Sequence, residues 1–125
     1  MTADARQWLA GFTAAVDSRD LDRLVSFFTP DAEFTYGNNP AMVGHDGIRA
    51  GIGAFFAGIS AISHEVVGSH SPDPSVVVAE FRTTYTRLDG VPVTLPGAGV
   101  LELDGDRIRL YRVYADVAPV FAPAA

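Results

Sequence analysis

The sequence predicts an α+β domain, with helices in its first half and an antiparallel sheet in its second. Three observations carry this. Trp8, Leu9, Phe12 and Val16 begin a set of apolar positions at helical spacing. From Ser63 onward the period changes to alternation between apolar and polar residues. Asp89-Gly90 and Asp104-Gly105-Asp106 then divide the alternating part where hairpins turn.

The first helix can be capped by Thr2 or Asp4, whose side chains accept from the free N–H groups of the first turn. A second, short helix begins near Asp20 and buries Leu21, Leu24, Val25 and Phe28 until Pro30 stops it. Ala32, Phe34 and Tyr36 alternate with Glu33 and Thr35 as a first strand, and Gly37-Asn38-Asn39-Pro40 turns the chain. A third helix runs from about Asp46 to Ala57 around Ile48, Ile52, Phe55 and Phe56. Gly51 and Gly53 inside it each cost about 1 kcal/mol relative to alanine, which points to close backbone packing there. Four strands follow: Ser63–Ser71, Ser75–Leu88, Val91–Leu103 and Arg107–Val117. The domain therefore spans residues 1–117, and residues 118–125 read as a loose C-terminal tail.

The 125 residues fit one domain with its own core. Cysteine is absent, which excludes disulfides, thiol nucleophiles and thiolate metal sites. All nine basic residues are arginine, so lysine Schiff-base chemistry and a lysine-bearing phosphate loop are excluded. A formal net charge of −6 works against nucleic acid and membrane surfaces as partners. No apolar run reaches the roughly 18 residues of a membrane span, and the N-terminal residues form no secretory signal. The expected location is cytoplasmic.

No metal site is expected. His64 and His70 share strand parity but lie roughly 20 Å apart along an extended chain. His45, in Gly44-His45-Asp46-Gly47, reads as a helix cap. Gly97-Ala98-Gly99 opens no helix, so it is no dinucleotide loop, and no Gly-x-Ser-x-Gly elbow occurs. The residues call for no cofactor.

Strand parity is the more informative signal. In Ser75–Leu88, one face holds Val76, Val78, Glu80, Arg82, Thr84 and Thr86. In Arg107–Val117, one face holds Ile108, Leu110, Arg112, Tyr114 and Asp116. Each begins aliphatic and continues charged. Such a face either leaves the core for solvent or lines a cavity with an apolar floor and polar groups at a set depth. In the second case Arg82 and Asp116 meet inside, because a buried charge needs a partner. The opposite faces carry Val77, Ala79, Phe81 and Tyr85, then Tyr111 and Val113. Turned outward, these would form an apolar patch that a second copy of the chain covers.

Three segments together resemble the SnoaL-like branch of the nuclear transport factor 2-like superfamily. They are Phe28-Thr29-Pro30-Asp31-Ala32-Glu33-Phe34, Val43-Gly44-His45-Asp46-Gly47-Ile48, and the stretch from Gly105 to Asp116. The resemblance covers nearly the whole chain. It implies helices packed on a curved, mostly antiparallel sheet that forms a cone-shaped cavity for a small hydrophobic molecule. It also implies a homodimer through the sheet's outer face.

A narrower part resembles limonene-1,2-epoxide hydrolase. That family carries Tyr-x-Asn-x-Pro after its first strand, here Tyr36-Gly37-Asn38-Asn39-Pro40. It carries Arg-x-Asp on a middle strand, here Arg82-Thr83-Thr84, and an aspartate ending the last strand, here Asp116. The resemblance implies Asp116 as a base, Tyr36 and Asn38 as holders of a water, and Arg82 as the group that positions Asp116. Thr84 stands where that family has its proton-donating acid. Glu80, on the same face, is either a relocated acid or an ion-pair partner of Arg82. Glu80, Thr84, Arg112 and Tyr114 complete the expected pocket. Tyr36 and Asn38 also read simply as a strand-end aromatic and a turn asparagine.

Three functions follow from this reading. The first is an enzyme acting on a small hydrophobic molecule by epoxide opening, isomerisation or polyketide-type cyclisation. Ketosteroid isomerase, which shares the implied fold, belongs to this class. The second is a non-catalytic binding or accessory protein of the same fold. The third is a structural dimer without a ligand.

Overall fold

The structure is a computed structural model that describes residues 1–123. Its elements run α1 (Ala3–Asp17), α2 (Leu21–Val25), β1 (Phe28–Tyr36), β2 (Met42–Val43), α3 (Gly44–Ala57), β3 (Ile59–Asp73), β4 (Val76–Arg87), β5 (Pro92–Asp104), β6 (Arg107–Tyr114) and α4 (Ala118–Phe121). The six strands form one curved sheet in the order β2-β1-β6-β5-β4-β3. Only β1 and β6 pair in parallel. The helices pack against one face, and the core lies between, so the fold is α+β as the sequence predicts.

Local chemistry explains most boundaries. Thr2 caps α1 by accepting from the Ala5 N–H at 3.1 Å, and Asp20 caps α2 by accepting from the Arg23 N–H at 3.2 Å. Proline does not end α2, which stops at Val25; Phe28 and Pro30 belong to β1. Pro30 is tolerated there because β1 and β6 shift register between Phe28 and Glu33, where no ladder N–H is required. His45 does not cap α3. Its Nε2 donates to the Phe28 carbonyl at 2.8 Å and ties the helix start to β1. Gly51 faces Met42, whose Sδ lies 2.2 Å from where a Cβ would stand. The close contact at this glycine is therefore with a flexible side chain and not with the backbone expected from the sequence.

The C-terminal segment differs from the loose tail expected over 118–125. Residues 118–121 form a helical turn, and Val120 joins the core at 3% exposure. Arg87 Nη1 donates to the Val120 carbonyl at 2.8 Å, which holds the turn against β4. Residues 124–125 of that expected tail lie outside the described residues. No helix among the described residues is long and apolar enough to cross a membrane.

The sheet faces are the reverse of those expected. On β4, Val77, Ala79, Phe81, Thr83 and Tyr85 are buried, whereas Glu80 and Arg82 are exposed. On β6 the parity changes along the strand. Ile108 is buried, a bulge follows opposite Glu102 and Leu103, and Tyr111 and Val113 then point inward. The six residues expected to form an outward patch are thus core.

Candidate functional site

The inner face of the sheet and helices α1 and α3 enclose a cavity with aromatic walls from Phe34, Phe55, Phe56 and Phe81. Its free space is about 40 Å³, enough for a few waters. Polar groups reach it at two places.

The first is a pair of phenols. Tyr36 ends β1 and Tyr85 lies on β4, and their hydroxyl oxygens are 2.6 Å apart. Burial pushes the Tyr36 phenol well above its ordinary range, and the neighbouring Tyr85 pushes it further. Burial also raises the Tyr85 phenol, while hydrogen bonds from Tyr36 and Thr83 partly offset that. Tyr111, raised chiefly by burial, faces the same cavity. Its ring lies on the backbone of β5, where Gly99 leaves room: a Cβ there would stand 2.7 Å from the ring. These phenols remain neutral donors through the physiological range and are not bases.

The second is Asp17 and His64. Asp17 closes α1, and His64 lies on β3 opposite Thr83. His64 Nδ1 is 2.6 Å from Asp17 Oδ1, and the His64 backbone N–H donates to Oδ2 at 3.0 Å. One carboxylate thus fixes both the backbone and the ring. Nδ1–H donates to the carboxylate, which leaves the lone pair of the neutral ring on Nε2. The ring edge packs on Phe81, with centroids 5.4 Å apart, and His64 lines the cavity.

Of the residues singled out in the sequence, Tyr36 alone lines this cavity. Asn38 is exposed in its turn. Arg82 and Glu80 are exposed on the outer face, and Thr84 beside them bonds Thr94 at 2.9 Å. Arg112 pairs with Glu102 at 3.1 Å, and Tyr114 is 56% exposed. Asp116 is exposed, and its Oδ1 accepts from the Ala118 N–H at 3.0 Å, just before α4. Arg82 and Asp116 do not meet. Among the described residues no cluster of three metal-ligating side chains occurs.

Sequence reasoning missed Asp17, His64 and Tyr85. A signal for Asp17 existed. A carboxylate in the last turn of a helix opposes the helix dipole, and α1 has no basic residue there to offset it. His64 was considered only as a metal ligand with His70, on the same face, and set aside because the two lie roughly 20 Å apart along the strand. The register shift between Val66 and Gly68 puts His70 opposite the outward Val78 and leaves His64 inward.

Comparison with known proteins agrees with this architecture. The family described as the SnoaL-like domain matches residues 9–111. No curated protein sequence matches the chain. Among solved structures, an NTF2-like protein of unknown function from Burkholderia pseudomallei K96243 superposes with a TM-score of 0.83 at 18% identity, over 96% of each chain. A protein with a ketosteroid isomerase-like fold from Catenulispora acidiphila DSM 44928, in complex with trimethylamine, gives 0.81 at 17% identity, over 90% of this chain and 88% of that one. A protein from Shewanella putrefaciens CN-32, assigned by its name to the SnoaL-like polyketide cyclases, gives 0.81 at 16% identity, over 93% and 92%. At these identities the likeness establishes the NTF2-like fold.

Proposed function

The chain belongs to the SnoaL-like domain family, and we propose that it is an enzyme moving a proton on a small hydrophobic carbonyl compound. The observation that carries this reading is the Asp17–His64 pair on the wall of an aromatic cavity that also holds the Tyr36–Tyr85 hydroxyls. His64 Nε2 takes a proton from the carbon beside the carbonyl. The C–H electron pair becomes the enolate, whose oxygen accepts a hydrogen bond from the phenol pair. Asp17 stabilises the imidazolium that forms. Return of the proton to another carbon gives an isomer. Attack of the enolate carbon on a second carbonyl of the same molecule forms a C–C bond, and the new alkoxide takes the proton from His64. The neighbours named for ketosteroid isomerase and polyketide cyclase have names that fit this class. Epoxide opening by a carboxylate base fits less well, because no carboxylate lines the cavity among the described residues.

The test is α-proton exchange in deuterated water on a panel of enolisable ketones, followed by NMR. His64→Gln is expected to remove the catalysed exchange, and Asp17→Asn to slow it by roughly 10²–10⁴-fold. Loss on Asp116→Asn but not on His64→Gln would transfer the base to the strand end. Saturable ketone binding without exchange would make the chain a binding protein.

The homodimer also belongs to this proposal, on a corrected surface. The outer face carries Val76, Val78 and Val100, half-buried side by side, with exposed Tyr114, Glu80 and Arg82 around them. A second copy would cover the apolar band and set opposite charges against each other.

A further inference from the structure

The inner cavity is too small for the substrate that the proposed function requires. About 40 Å³ accommodates a carbonyl and its neighbouring carbons, but not a ring system or chain. Directly outside lies a second compartment of about 440 Å³. The two share Tyr36, Ile52 and Phe55. The Phe55 ring stands between them, 5.4 Å from Tyr36, 6.0 Å from Tyr85 and 5.7 Å from Phe121, centroid to centroid. Beyond it the walls are Met42, Val117 and Phe121, with Asn39 and Pro40 as the one polar edge.

The capacity of the outer compartment depends on one missing side chain. Gly51 lies on α3 with no Cβ, and Met42 fills that notch, its Sδ 2.2 Å and Cγ 2.7 Å from the vacant Cβ position. Any side chain at 51 must drive the flexible thioether out of the notch, and Met42 itself lines the compartment. Gly51 is helical, so alanine there suits the backbone better than glycine does. A glycine that lowers helix propensity and keeps a groove open is more readily explained by the groove.

We propose that the outer compartment is a subsite for the apolar chain of an elongated, neutral ketone whose carbonyl sits at the Tyr36–Tyr85 pair. Gly51, through Met42, sets the length of chain accepted, and Phe55 is the partition the chain passes. The proposal rests on the carbonyl reading of the inner site and adds the shape of the substrate. Among the described residues no carboxylate, arginine or lysine side chain lines either compartment, so a neutral chain is the occupant that suits both.

The experiment is calorimetric binding of a series of methyl ketones with lengthening alkyl chains, on the full-length protein. With the parent, affinity is expected to rise by up to about fourfold per methylene once the chain reaches past Phe55. Gly51→Ala is expected to lower the ratio of long-chain to short-chain affinity at least tenfold, and Met42→Ala added to it is expected to restore the ratio. Gly53→Ala, on the same helix but facing Leu21, should not change that ratio. Equal effects of Gly51→Ala on long and short ketones, or no dependence on chain length in the parent, overturns the proposal. So does failure of every ketone to bind. Chain-length-dependent binding without α-proton exchange leaves the subsite standing and removes the catalytic reading. Exchange without chain-length dependence does the reverse.

Discussion

Replacing Tyr85 with phenylalanine removes one oxygen from the cavity wall and leaves the ring packing in place. Tyr85 is 2% exposed, and its hydroxyl lies 2.6 Å from that of Tyr36. A hydrogen bond of this kind contributes roughly 0.5–1.5 kcal/mol net, but a buried partner left without one costs about 1–3 kcal/mol. Tyr36 is half-buried, and burial is the first cause of its raised phenol, so its hydroxyl is poorly placed to replace the lost partner. The expected loss is therefore about 2 kcal/mol. Tyr36→Phe leaves the Tyr85 hydroxyl with Thr83 as a remaining partner, so about 1 kcal/mol is expected there. The double variant removes both polar groups, and its loss should fall short of the summed single losses by about 1 kcal/mol. Urea unfolding followed by circular dichroism measures all three, provided the slope with denaturant stays constant. Strictly additive losses would refute the claim that the two hydroxyls satisfy each other. In the exchange assay, Tyr85→Phe should lower the rate by roughly 10²–10³-fold, the usual effect of losing one donor to an oxyanion.

Arg19 donates to the carbonyls of Phe56 and Ile59 at 2.7 and 3.2 Å, and to that of Ser60, clamping the end of α3. Arg19→Ala should cost about 2 kcal/mol, and Arg19→Gly about 1 kcal/mol less, because residue 19 has φ of 59°; urea unfolding ranks the pair. The phenols of Tyr36, Tyr85 and Tyr111 have raised pKa values, so their contribution to stability is complete below the ordinary tyrosine value of about 10 and falls as pH rises beyond it. Phenolate absorbance from these three should therefore appear together with unfolding in an alkaline titration, and gradual ionisation of the folded chain would contradict their burial. Val78→Arg puts a charge at the centre of the outer apolar band and should convert a sedimenting dimer to a monomer with unchanged circular dichroism. A parent chain that sediments as a monomer at micromolar concentration would remove the basis for pairing.

Much of the fold was legible in single residues. Thr2 is one of the two expected caps of α1, α2 begins beside Asp20 as expected, and the hairpin breaks fall at Asp89-Gly90 and Asp104-Gly105-Asp106. The short β2 and the Ile59 end of β3 were not legible. Two residues carry no period, and Ile59–Ile62 is too short a run to separate from the helix before it. α4 was missed for a related reason: a single buried valine among alanines and prolines reads as a tail.

The candidate site divides along the same line. The sequence by itself determined that chemistry here rests on carboxylates, imidazoles, phenols and guanidinium groups, since it has no cysteine or lysine. It also placed Tyr36 at the end of a strand, on the same face as Ala32 and Phe34. Only the tertiary structure decided which face of β4 and β6 is inside. Alternation fixes that two faces exist but not which one meets the helices, and a single bulged residue inverts the answer beyond it. Arg82 and Asp116 looked interior because they continue aliphatic rows. The β4 row is on the outer face, the β6 row joins it beyond the bulge after Ile108, and the larger aromatic residues of the opposite parity fill the core. The Asp17–His64 contact joins residues 47 apart in sequence. No local period encodes such a pair; it exists because α1 lies across β3, and that packing is a property of the folded chain alone.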